Sequence, residues 1–123
     1  MKLLESSALT VNPAASVSQV WIGSFTDVAK GKQLALQAVS SGADFLVPMA
    51  DSAGQGVQQA AEESGTLSLG EYVDESDTYP SVVTSVMVDF AAAYDEIGAK
   101  FADGTLGGTL VNMDASTGAF SFA

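Results

Sequence analysis

Cysteine, histidine and arginine are absent from the 123 residues, and the four basic side chains are all lysines: Lys2, Lys30, Lys32 and Lys100. Without thiol or imidazole there is no Cys or His catalysis and no Cys/His zinc centre, and without guanidinium there is no bidentate phosphate clamp. Fifteen acidic residues against four basic ones give a formal charge of -11, which repels nucleic acid and anionic membrane surfaces. A nucleic-acid partner is therefore not expected. No apolar run approaches the ~20 residues of a membrane span. The opening MKLLESSALTV lacks the long apolar core of a signal peptide and carries Glu5, so export by this N-terminus is not expected.

What is present has the rhythm of an α/β sheet. The length suits one domain, and 47% hydrophobic residues suffice for one core. The apolar stretch Val17 to Ile22 reads as a strand that stops at Gly23; Ser24 to Asp27 supply capping oxygens before a helical segment. The grammar then repeats, with a short strand at Phe45 to Met49, a Gly-broken loop around Ser52 to Gly56 and a helix ending at Gly65. Alternation of this kind predicts a parallel sheet joined by right-handed crossovers, whose ligands sit beyond the carboxyl ends of the strands. Both loops belong there.

Further along, Thr66 to Val73 reads as a strand, DESDTYPS (Asp74 to Ser81) as a loop stopped by Pro80, and Val82 to Val88 as a β-branched strand. Phe90, Ala93, Tyr94, Ile97 and Phe101 then mark one apolar helix face, capped by Asp89 and ended by Gly104, and such a face is expected to be core. The tail runs GGTLVNM and GAFSF flank Asp114 to Gly118 and suit a hairpin or two edge strands.

A string of spaced motifs runs through this pattern: Asn12-Pro13, Gly23-Ser24-Phe25-x-Asp27, Lys30-Gly31-Lys32, Gly42-Ala43-Asp44, Ala53-Gly54-x-Gly56-Val57, Val73-Asp74 and Thr84-Ser85. In these motifs the chain resembles the basic membrane protein (BMP) family, the nucleoside-binding substrate-binding lipoproteins of bacterial and archaeal ABC importers. The resemblance implies a type I periplasmic-binding-protein fold, with two three-layer α/β lobes hinged about a cleft. It covers mainly the second lobe, so residues 1–123 are expected to form one partial domain. The return strand and helix toward the first lobe lie at about 82–123. The first lobe and the opening strand of the second are missing. In a lobe ordered 2-1-3-4-5 that strand is central, which leaves a gap between Val17–Ile22 and Phe45–Met49. Either the chain is a fragment, or its sheet rearranges to close the gap.

The resemblance also implies contacts to a small polar ligand such as a purine nucleoside. Ser24 offers a hydroxyl, Phe25 a ring to stack on a base, and Asp27 sits at the same loop, although Ser24 and Asp27 also suit plain helix capping. Asp51, Ala53, Gly54 and Gly56 present backbone N–H groups at a helix start, or simply a tight turn. Asp74 matches the family's Gly-Val-Asp motif, whose carboxylate accepts hydrogen bonds from ribose hydroxyls; a loop-entry Asp equally suits an Asx turn. Three departures stand out: Val88 replaces the lysine common in relatives, Val47-Pro48 lacks an aromatic residue, and the loop after Asp74 is short. No metal or cofactor is expected.

An ABC permease is the implied partner of the intact receptor, and a periplasmic or cell-surface lipoprotein its implied setting. Two other functions remain open. One is an enzyme of the doubly wound class using Asp74 and Asp77 as Mg²⁺ ligands or base. The other is a ligandless remnant that self-associates through its truncated face.

Overall fold

Helix starts and stops are written into this chain by single residues. The structure is a computed structural model and describes residues 2–108 and 110–123. Helix α1 spans Lys2–Val11 and α2 spans Val28–Ser40. The Asp27 carboxylate starts α2 by accepting the Lys30 N–H at 2.9 Å, satisfying a donor that has no partner inside the helix. Helix α3, Gly54–Ser64, follows a 3₁₀ turn at Asp51–Ala53 and ends at Gly65, whose φ of 68° is the left-handed cap that glycine adopts without strain.

Helices α2 and α3 cross closely because two glycines meet the opposing backbone. A Cβ on Gly31 would collide with the Ala53 carbonyl oxygen, and one on Gly56 with the Val28 carbonyl oxygen, 2.6 Å from the Lys32 nitrogen. Around this crossing Ala35, Leu46, Val57, Ala60 and Ala61 form the core, with Ile22, Leu36 and Val39 packed against it.

The sheet runs β1 (Phe45–Leu46), β2 (Leu67–Tyr72), β3 (Val82–Val88) and β4 (Phe120–Phe122), adjacent in that order. β1, β2 and β3 are parallel and β4 is antiparallel to β3. An open parallel sheet flanked by helices is the α/β architecture that the repeated strand-helix grammar predicts, and it is incomplete in the expected place. The segment Val17 to Ile22 forms no strand. Trp21 in it is 80% exposed, and Ile22 alone packs on the core. An extended segment holds strand geometry only with a neighbour to take its backbone groups, and among the described residues no strand lies between it and β1. The sheet therefore does not rearrange to close the gap. β1 is short for the same reason, with one free edge and a proline at position 48.

Two further expectations change. Helix α4, Phe90–Ala102, is capped as predicted, with Asp89 Oδ1 accepting the Ala92 N–H at 3.0 Å, yet it buries no residue. Its apolar face is not core; Phe101 is 77% exposed. One ring contact joins it to the sheet, Tyr72 to Phe90 at 6.4 Å between centroids. In the tail, Asp114 caps a 3₁₀ turn at Ala115–Thr117 instead of joining a hairpin. β4 then reaches back to pair Phe120 with Val88 and Phe122 with Val86.

Candidate functional site

Two helix-opening loops touch, one after the irregular segment Val17 to Ile22 and one after β1. In the first, Gly23 takes φ 74°, and Ser24 Oγ accepts the N–H groups of Thr26 at 3.2 Å and Asp27 at 3.1 Å. The loop is thus folded by its own short side chains before Asp27 caps α2. In the second, the Ala53 N–H donates to the Phe25 carbonyl oxygen at 2.9 Å. That bond locks the two mouths side by side.

Ala53 and Gly56 consequently serve packing: the Ala53 amide is already used, its side chain is fully buried, and Gly56 faces the α2 backbone. Phe25 projects into solvent at 71% exposure, and Ser24 spends its lone pairs on its own loop.

Beside these loops lies a cleft of about 150 Å³. Asp51 and Gly54 form one wall, Gln58 of α3 the floor, and Glu71, Tyr72 and Glu75 the other wall. Asp51 (φ 53°) and Tyr72 (φ 68°) are the non-glycine residues with positive φ among those described, and both line this cleft. Asp tolerates the left-handed region; a bulky aromatic there costs about 1–3 kcal/mol and persists only where its surroundings dictate it.

A buried hydrogen-bond relay holds the far wall. Gln58 is 1% exposed, and its Nε2 donates to the Leu69 carbonyl at 2.9 Å and to Glu75 Oε2 at 3.1 Å. Glu75 Oε2 also accepts the Glu71 N–H at 3.1 Å, and the Glu75 N–H donates to Ser85 Oγ at 3.1 Å. Gly70 is required here, because a Cβ would collide with Ser85 Oγ. Burial and then the facing charge of Glu75 push the Glu71 carboxyl up to about 7, with Asp51 adding to the repulsion and a backbone hydrogen bond from Ala50 opposing it.

Asp74 is outside the cleft lining. Its Oδ1 accepts the N–H of Ser76 at 3.0 Å and its hydroxyl at 2.8 Å, an Asx turn that holds its carboxyl below the usual range. Asp77 is exposed as well, and among the described residues no group of three or more acidic side chains is arranged to hold a metal ion.

Of the residues singled out from sequence, Asp51 and Gly54 therefore enter the cleft. Ser24, Phe25 and Asp27 lie outside the cleft lining, on a loop joined to the second loop through the Phe25 carbonyl. Gln58, Glu71, Tyr72 and Glu75 escaped notice, although a carboxylate inside an otherwise uncharged strand, as at Glu71, is the kind of costly placement that marks a site.

Known proteins resemble this chain in sequence and in fold. The family described as ABC transporter substrate-binding protein PnrA-like (Bmp) matches residues 5–123. Basic membrane protein A2 of Borrelia garinii subsp. bavariensis is 29% identical over 96% of this chain, and basic membrane protein A of Borreliella afzelii 28% over 96%. The chain spans 36% and 38% of the length of these relatives. An ABC transporter solute-binding protein of Aeropyrum pernix K1 superposes with a TM-score of 0.76 at 19% identity, over 98% of this chain and 34% of that one. One from Conexibacter woesei DSM 14684 gives 0.67 at 21%, over 96% and 39%. A transcriptional activator of the comK gene from Bacillus halodurans gives 0.72 at 22%, over 83% and 36%, so the fold is shared by proteins of different description. With residues 5–123 matched, the chain belongs to the Bmp family of PnrA-like ABC transporter substrate-binding proteins.

Proposed function

We propose that this chain is one wall of a clamp that holds a small polar solute, such as a purine nucleoside, for delivery to an ABC permease. The observation that carries the reading is the Ala53 N–H to Phe25 C=O bond, which sets two loop mouths next to the cleft walled by Asp51, Glu71 and Glu75. A solute seated there meets acceptors from three segments, and the Phe25 ring, exposed on the loop bonded to Ala53, is free to lie on a base. Asp74 keeps its turn through one oxygen, which leaves the other to accept from ribose hydroxyls. The chain binds without transforming its ligand, as the description of its family implies. Residues 82–123 provide the return strand and helix toward a first lobe, and the receptor that carries both lobes works as a periplasmic or cell-surface lipoprotein. No described helix is long and apolar enough to cross a membrane.

One wall of about 150 Å³ is small beside the several hundred Å³ of a typical ligand pocket, so the affinity of this chain alone is on the order of millimolar or weaker. Titration of the isotopically labelled chain with inosine, adenosine and guanosine tests this. Shifts at Phe25, Asp51, Tyr72 and Asp74 support the reading; their absence with all three nucleosides ends the nucleoside version. Sub-micromolar binding by this chain would overturn the one-wall account.

The bare apolar face of α4 favours a second role in self-association. Phe90, Tyr94 and Phe101 stand in solvent along one helix, an arrangement monomeric proteins seldom leave open.

A further inference from the structure

The cleft concentrates acceptors: three carboxylates line it, beside the Ser52 and Tyr72 hydroxyls and the Gln55 amide, which can also donate. Gln58 shows this most clearly. Its Nε2 faces two acceptors, the Leu69 carbonyl and Glu75 Oε2, and this fixes the amide so that Oε1 is left over. Oε1 is buried and has no hydrogen-bond partner, and it is the sole side-chain atom in that condition among the described residues. A buried carbonyl oxygen left unpaired costs about 1–3 kcal/mol, a penalty that a donor arriving with a ligand removes.

The surroundings sharpen the choice of donor. Asp51, Glu71 and Glu75 face one another around the same cleft, and no lysine lines it. The ion pairs among the described residues lie elsewhere, at Lys32–Glu63 and Lys100–Glu96. A group with several N–H donors and positive character satisfies more of these acceptors at once than a hydroxyl, which donates once and leaves the mutual repulsion of the carboxylates in place.

We propose that this cleft selects solutes presenting an amino group, seated between Gln58 on the floor and Glu71 and Glu75 on the wall. The proposal rests on the solute-binding reading and narrows it. Two sources share this chemistry, the exocyclic amine of a nucleobase and an aliphatic ammonium group.

Two matched pairs of probes separate them: adenosine against inosine, which lacks the exocyclic amine, and propylammonium against 1-propanol. Each is titrated into the labelled chain at pH 8 while the Gln58 side-chain amide and the Glu71 backbone amide are followed. The amino-bearing probe of at least one pair is expected to reach half-saturation at a concentration about threefold to tenfold lower than its partner, the range for a charge-assisted contact in a half-open site. The pair that shows it identifies the source. Glu71→Gln, isosteric and half-exposed, is expected to bring that ratio close to one; Gln58→Glu, which keeps the side-chain shape, serves as the second variant, and the amide spectrum reports whether each still folds. Equal half-saturation within both pairs overturns the inference and leaves the solute-binding reading standing. No shift from any of the four overturns both.

Discussion

Gln58 Nε2 lies 3.1 Å from Glu75 Oε2, joining the middle of α3 to the loop that leaves β2. The same nitrogen also reaches the Leu69 carbonyl, so one fully buried amide ties a helix, a strand and a loop at the floor of the cleft. Gln58→Leu fills the same space but strips two acceptors of their donor. A loss of about 1–3 kcal/mol in urea unfolding is expected. A variant as stable as the parent would mean that water replaces the amide at no cost.

Glu71 ties stability to pH. Its folded-state carboxyl sits at about 7 against an ordinary 4.5, so the folded chain favours the proton more than the unfolded chain does. Its stabilising effect is fully present below 4.5 and is lost as pH rises through 7. Because the group is partly open to solvent, the loss amounts to about 1–2 kcal/mol. Glu71→Gln removes the dependence and is expected to be more stable than the parent at pH 8, with little difference at pH 4. Identical pH profiles of the unfolding midpoint for parent and variant would refute this account. The opposing groups Glu62, Asp74 and Asp114 have lowered carboxyls and contribute in both proteins alike, so the difference isolates Glu71.

Gly56 sets the distance between α2 and α3. A single added methyl at Gly56 meets the Val28 carbonyl and the Lys32 nitrogen, both backbone, which cannot rotate away. Gly56→Ala is therefore expected to destabilise by about 1–3 kcal/mol, despite alanine's better helix propensity. Gly98→Ala in α4, where a Cβ meets nothing within 4 Å, is the control and is expected to be neutral or mildly stabilising. Chemical denaturation of the pair decides it: equal midpoints would mean the helices slide apart freely.

Local signals carried most of the fold, because they act over a few residues. Asp27 and Asp89 cap the helices that follow them, Gly65 ends α3, and Pro80 closes the loop before β3. Val17 to Ile22 failed because a strand depends on a neighbour, and no strand among the described residues takes that place. The same holds for α4: periodicity shows that a face is apolar without saying what covers it. At the site, Asp51 and Gly54 were legible from the loop chemistry, whereas Gln58 and Glu75 were not. They lie 17 residues apart in sequence and meet through the packing of α3 on the sheet.

The exposed face of α4 supplies the last test. Phe101 and Tyr94 are both largely in solvent, so replacing them removes no core contact. Phe101→Lys is expected to change unfolding free energy by less than about 0.5 kcal/mol. If the face mediates self-association, the same change shifts the sedimentation profile toward monomer, since burying a lysine against a second copy leaves its charge unpaired. Sedimentation velocity at several loading concentrations reads this directly. A parent chain that stays monomeric at every concentration would remove the self-association role, and a large loss of stability in the variant would show that Phe101 is packed after all.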